Sequence, residues 1–196
     1  MRKKIHFNDQ ERYQCWHVAK QNTDYLRTVN NQRYNVDQVL SGGDPYAKRY
    51  MAMLAEMAVA KFLELPFEIE RKLQNEIGTP DGEINGWTYD VKASSYKAAW
   101  LYCPSYKTAH KSDLYITVYV PIKPYEKTKH VELVGWLWRN EICKSEFKTG
   151  KPNDRDFNRP FVVKDGFRSI ERLIEETWHA RQLLIKQKGM NNEKFS

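Results

Sequence analysis

Cysteine is scarce in this chain, and the three present, Cys15, Cys103 and Cys143, are widely separated and odd in number. They lack the paired spacing of a zinc site, so free thiols in a reducing cytosol are the expectation. Also lacking is any apolar run approaching the ~18 residues of a membrane span. Met1-Arg2-Lys3-Lys4 leads into polar sequence where a signal peptide would carry an apolar core. A soluble, cytoplasmic protein with no membrane partner is expected. No internal repeat is found. Negative charge is in short supply too: 25 Asp and Glu stand against 32 Lys and Arg, for a net charge of +7 and a pI near 9.2. That balance suits a polyanionic partner.

Aromatics at 13% and apolar residues at 41% exclude disorder as a description of the whole. The strongly negative mean hydropathy of -0.77 implies a large polar surface. The 196 residues suit one domain with a substantial core. The positive charge is concentrated: residues 92–130 carry seven lysines against Asp113 and Glu126.

The organising stretch is Gly78 to Ser94. Asn85-Gly86 lies between two runs that alternate apolar and polar residues, a pattern that predicts a two-residue β-hairpin because both loop positions need positive φ. With that loop, Ile84 faces Trp87, Glu83 faces Thr88, Gly82 faces Tyr89 and Asp81 faces Asp90. Alternation then assigns Pro80, Ile84, Trp87, Tyr89, Val91 and Ala93 to a core face. Thr79, Asp81, Glu83, Thr88, Asp90 and Lys92 fall on the other. Facing aspartates destabilise a sheet unless something offsets them. A hard divalent cation would do so, and Mg²⁺ needs only one or two protein carboxylates when phosphate and water complete its shell. Lys92, one pleat further on, is near enough to contact a bound phosphate or the attacking water.

Pro80-Asp81 followed by Asp90-Val91-Lys92 resembles the PD-(D/E)XK motif of the restriction-endonuclease-like nucleases. The resemblance covers roughly residues 45–138. It implies an α/β (α+β) fold with a central mixed sheet flanked by helices, and Mg²⁺, or Mn²⁺ in its place, as cofactor. It also implies that Asp81 and Asp90 bind the metal, that the Val91 carbonyl is a further ligand, and that a helix glutamate completes the shell. The triplet recurs in Glu70-Arg71-Lys72 and Glu146-Phe147-Lys148; the upstream Asp81 and its register single out 90–92.

Around this centre, Asn8 or Asp9 is expected to cap a helix to about Asn30 after a basic lead-in, residues 1–8. Residues 1–44 form an N-terminal helical extension in this reading. Tyr25, Arg27, Arg33 and Tyr34 mix aromatics with cations in a way that could grip nucleic acid. Asp44 and Pro45 begin a second helix to about Leu65, with Met51, Leu54, Ala55, Ala58, Val59 and Phe62 as its buried stripe. Glu56 is flanked on that helix by apolar neighbours, a costly place for a free charge. The family's helix glutamate occupies the corresponding place, so Glu56 is assigned to the metal.

Pro66 should end this helix and Phe67 to Leu73 form a first strand. Residues 94–110 should cross the sheet as a helix or paired short helices. Ser94, Ser95, Tyr96 and Lys97, at the end of the catalytic strand, could reach phosphate oxygens, as could Lys107 and Lys111. Strands are expected over Asp113–Ile122 and Val131–Trp138, then a polar loop over 148–160. Phe161–Val163 would add an edge strand. Ser169 would cap a final helix that packs through Ile170, Leu173, Ile174, Trp178 and Leu184 and stops at Gly189, closing a C-terminal unit, 161–190. The expected activity is metal-assisted hydrolysis of DNA by a monomer or homodimer. A junction resolvase or repair-type nuclease, and a non-catalytic nucleic-acid-binding module of the same fold, are the alternatives.

Overall fold

The computed structural model describes residues 2–29, 45–67, 79–103, 112–121, 127–144, 147 and 161–192. The Asn8 side chain accepts from the Glu11 amide at 2.8 Å while the Glu11 carboxylate accepts from the Asn8 amide at 2.8 Å. This reciprocal cap satisfies two orphan donors and starts helix α1 (Asp9–Val29). Helix α2 (Pro45–Phe62) is apolar over most of its circumference, with Leu54, Ala55, Ala58 and Val59 fully buried. Such a helix must be covered on more than one side. It lies between α1 and the sheet. Glu64, at φ 57, closes it: the amides of Glu64 and Leu65 return to the carbonyls of Lys61 and Ala60. That left-handed turn stops the helix before Pro66 is reached.

Five strands form a mixed sheet: β1 (Lys3–His6), β2 (Gly82–Ile84), β3 (Trp87–Ser94), β5 (Leu114–Tyr119) and β6 (His130–Trp138). Their order is β1-β6-β5-β3-β2, with β3 and β5 parallel and every other pair antiparallel. Strands β4 (Leu101–Cys103) and β7 (Phe161–Val163) make a separate two-stranded sheet. The protein is thus mixed α/β, with helices on a mixed sheet. No helix among the described residues is long and apolar enough to cross a membrane.

The large sheet is buried on both faces. One face sets Tyr89, Leu114, Ile116, Val118, Leu133 and Trp136 against α1 and α2. The other sets Tyr115 and Leu137 against Leu101 and Cys103 of β4, Phe161 and Val163 of β7, and Ile142 of the short helix α3 (Arg139–Ile142). Gly135 allows residues 167–168 to pass close over β6, since a Cβ there would stand 2.5 Å from the Arg168 carbonyl oxygen.

Several expectations are corrected. The basic lead-in contains β1, whose charged residues suit a sheet edge. The described part of 94–110 supplies strand β4, because Ala99, Leu101 and Cys103 are buried while Trp100 and Tyr102 are exposed, a period of two. Phe161–Val163 is a strand, but it pairs with β4 in the second sheet. Ser169 makes no side-chain cap; a 3₁₀ turn (Ile170–Arg172) leads into α4 (Leu173–Asn192), which continues through Gly189. An interior glycine costs a helix only about 1 kcal/mol. Ile170 and Leu173 are buried as expected, whereas Ile174 and Trp178 are about half exposed. Of the expected strand Phe67–Leu73 only Phe67 is described, outside any strand; the rest, with Asp44, Arg33, Tyr34 and the 148–160 loop, lies outside the described residues.

Candidate functional site

The hairpin has the expected loop and register: Asn85 and Gly86 take φ of 52 and 77, and Ile84, Glu83 and Gly82 pair with Trp87, Thr88 and Tyr89. Its tip is anchored, since the Asn85 side-chain amide donates to the Ile174 carbonyl at 3.0 Å and to Thr177 Oγ1 at 2.9 Å. The paired ladder stops at Gly82, one residue short of the aspartates. Asp81 donates its amide to the Tyr89 carbonyl at 2.9 Å, and its Oδ2 accepts from the Val91 amide at 2.7 Å. Its carboxylate thereby takes the place of the next strand residue at the edge of β3.

Asp81 and Glu56 line one cavity of about 300 Å³ between α2 and the hairpin, together with Ala60, Phe67, Tyr89 and Val91. Asp90 and Lys92 do not line it. They leave β3 on the opposite face, where they form an ion pair with side-chain exposures of 22% and 16%. The expectation that both aspartates share one face is corrected here. The repulsion of opposed carboxylates is relieved within the protein, by the Val91 amide for Asp81 and by the Lys92 ammonium for Asp90.

The two faces remain in electrostatic contact. Burial favours a neutral Lys92, but the Asp90 carboxylate outweighs it and Asp81 adds to it, so the ammonium is held charged above its ordinary range. Parallel pairing with β5 sets Tyr115 beside Asp90 and Thr117 beside Lys92, whose ammonium lies 5.8 Å from the Tyr115 ring centre. The Thr117 hydroxyl is buried and has no hydrogen-bond partner among the described residues. Cys103 of β4 closes the same pocket. Burial, opposed in part by Lys92, pushes its thiol up to about 11, and burial likewise raises the Tyr115 hydroxyl. Tyr115, Thr117 and Cys103 were not assigned to this site from the sequence. Their place beside Lys92 follows from a parallel pairing and a second sheet, for which local sequence carries no signal.

Of the residues expected to meet phosphate, Ser94 is buried and serves the fold: its Oγ accepts from the Tyr96 amide at 3.3 Å and its carbonyl from the Val120 amide at 2.9 Å. Ser95 is half-buried, and Tyr96 and Lys97 are exposed. Lys107 and Lys111 lie outside the described residues.

Two carboxylates on one cavity form a donor set that fits a hard cation, which binds carboxylate and carbonyl oxygens. In a strand the N–H and C=O of one residue leave on the same side, so the Val91 carbonyl points to the Asp81 edge. No three Asp, Glu, His or Cys side chains among the described residues are grouped to hold a metal unaided. Mg²⁺ does not require three, since water and phosphate complete its octahedron. No protein-family model, no curated protein and no solved structure matches the chain.

Proposed function

We propose that this protein is a Mg²⁺-dependent nuclease with a restriction-endonuclease-like core, hydrolysing DNA phosphodiester bonds. The observation that carries this reading is the convergence of Glu56, from α2, and Asp81, from the foot of the hairpin, on one cavity whose floor is Val91, flanked on β3 by the Asp90–Lys92 pair. Glu56, Asp81 and the Val91 carbonyl would hold the cation; Mn²⁺ would substitute. When bound, the cation would lower the pKa of a water and draw charge from the phosphate. Lys92, held protonated on the opposite face of β3, acts through the strand as fixed positive charge behind the Asp81 edge; it does not act as a base. Asp90 positions that ammonium.

The test is a panel of labelled linear duplex, single-strand and four-way-junction DNAs with Mg²⁺, Mn²⁺ or EDTA. Cleavage is expected with either cation and none with chelator. Asp81→Asn and Glu56→Gln should each lower the rate by at least about a hundredfold. Full cleavage by Asp81→Asn, or cleavage in EDTA, would sink the reading. A preference for the four-way junction would place the enzyme with the resolvases.

One observation favours a second reading, a non-catalytic nucleic-acid-binding module. Asp81 and Asp90 each have an internal partner and so impose no need for a metal. That reading requires equal DNA binding with and without EDTA and no cleavage under any condition.

A further inference from the structure

The small sheet covers the Lys92 face with its inner side, and its outer side carries two large aromatics. Leu101 pairs with Val163 and Tyr102 with Val162. One step further the register sets Trp100 opposite Lys164, whose ammonium lies 4.7 Å from the Trp100 ring centre. Trp100 and Tyr102 are 44% and 57% exposed while Leu101 and Cys103 between and beside them are fully buried. Residues two apart on a strand share a face and stand about 6.6 Å apart along it. Tyr96, 74% exposed, lies in the loop that leads in from β3. That loop is fixed: the Ala99 amide donates to the Tyr96 carbonyl at 2.7 Å, Ala99 holds φ 51, and the Arg2 guanidinium donates to the Lys97 carbonyl at 2.8 Å.

Leaving large rings in water on a rigid ribbon costs hydrophobic burial that the fold does not recover. Along the chain, the stretch that carries Trp100 and Tyr102 has charge of one sign: residues 93–112 contain Lys97, Lys107 and Lys111 and no Asp or Glu. Flat π-faces at strand spacing, with ammonium groups between and beside them, complement a chain of bases joined by phosphates. A duplex hides its base faces and could use only the lysines.

We infer that the outer face of the β4–β7 ribbon, Trp100 and Tyr102 with Lys164, is a stacking platform for a single-stranded polynucleotide. This rests on the nuclease reading for the kind of polymer, and it narrows that reading to a substrate with an unpaired segment, held on the opposite side of the large sheet from the Glu56–Asp81 cavity. Trp100 and Tyr102 hold the bases; Lys164 and Lys97 meet the phosphates.

The test is fluorescence anisotropy of the full chain with labelled oligo-dT, oligo-U and a duplex, all in EDTA, where no cleavage occurs. Wild type should bind the single strands more tightly than the duplex. Trp100→Ala and Tyr102→Ala should each weaken single-strand binding by about 5- to 150-fold and leave duplex binding unchanged. Trp100→Phe should retain most of it. Lys164→Gln should lower the salt slope on oligo-dT by about 0.7. Trp100→Leu, which keeps apolar bulk without a π-face, replaces the alanine variant if that one melts below wild type. Unchanged single-strand binding in Trp100→Leu and Tyr102→Ala overturns the platform, as does an equal loss on duplex. No oligonucleotide binding by wild type also overturns it and leaves the face to a protein partner. Loss of cleavage with single-strand binding intact would instead count against the nuclease reading alone.

Discussion

Asp90→Ala should destabilise the protein even though it removes only one charge near a surface cleft. The variant leaves the Lys92 ammonium beneath β4, at 16% side-chain exposure, without the carboxylate that neutralises it. Deleting one member of a buried pair costs roughly 3–5 kcal/mol. Residual water contact and the Tyr115 ring place this case at the lower end, about 3 kcal/mol. With a urea slope of about 2 kcal/mol/M, the midpoint should fall by about 1.5 M. The pH dependence carries the diagnosis. In the variant, burial, the largest influence on Lys92 and now opposed chiefly by Asp81, drives its folded pKa below the unfolded value, so the unfolded chain binds more protons and stability rises with pH. In wild type that pKa is raised, so the contribution of the pair is full below the unfolded lysine value and fades as pH climbs through the folded one. Both trends close the gap between the two proteins as pH approaches about 10. Lys92→Met in the Asp90→Ala background should restore most of the loss, since an apolar pair tolerates this pocket. Urea titrations at several pH values measure all of this. A gap that does not change with pH, or a double variant no more stable than Asp90→Ala, would show that Lys92 is solvated and that the ion pair is incidental.

Three further outcomes follow from packing and charge. Gly135→Ala drives a Cβ to 2.5 Å from the Arg168 carbonyl and 2.7 Å from Phe167 Cβ, against backbone held by the Trp136–Arg168 bridge. Overpacking of about 1–3 kcal/mol should lower the melting midpoint by about 3–10 °C, and an unchanged midpoint would mean that 167–168 moves freely. Burial raises the Glu141 carboxyl, but the Arg168 guanidinium at 2.7 Å and the Trp138 amide outweigh it, so its pKa is lowered. Its stabilisation is therefore lost as pH falls below about 4, and Arg168→Ala should move acid unfolding to higher pH, as followed by circular dichroism. In the native protein at pH 8 only exposed Cys143 should react promptly with a thiol reagent. Cys103, pushed up to about 11, and Cys15, raised further by burial, should wait for denaturant; a second fast thiol would contradict their burial.

The hairpin was legible because its determinants are local. Asn85-Gly86 alone supplies the positive φ values, and a two-residue loop leaves one register open. Helices α1 and α2 were readable for the same reason, from an Asn8 cap and an apolar stripe a few residues long in period. Strands β5 and β6 stood out as buried runs. By contrast β1, with three of its four residues exposed, has no apolar signature, and β4 is a three-residue alternation whose exposed position, Tyr102, is aromatic, as is exposed Trp100 just before it. Such rings look like core until their partners are known.

What the residues alone determined is the tight turn, the pairing that follows from it and the closeness of Asp81, Asp90 and Lys92 along the chain. What only the tertiary structure decided is where those side chains go. The ladder ends at Gly82, so Asp81 turns into the sheet edge to take the Val91 amide and meets Glu56 across a cavity. A separate ribbon, joined from residues some sixty apart, covers the other face and holds Asp90 against Lys92. Alternation assigns a residue to a face by local geometry. Which face becomes cleft, core or platform depends on what packs there, and that is set by contacts between segments remote in sequence.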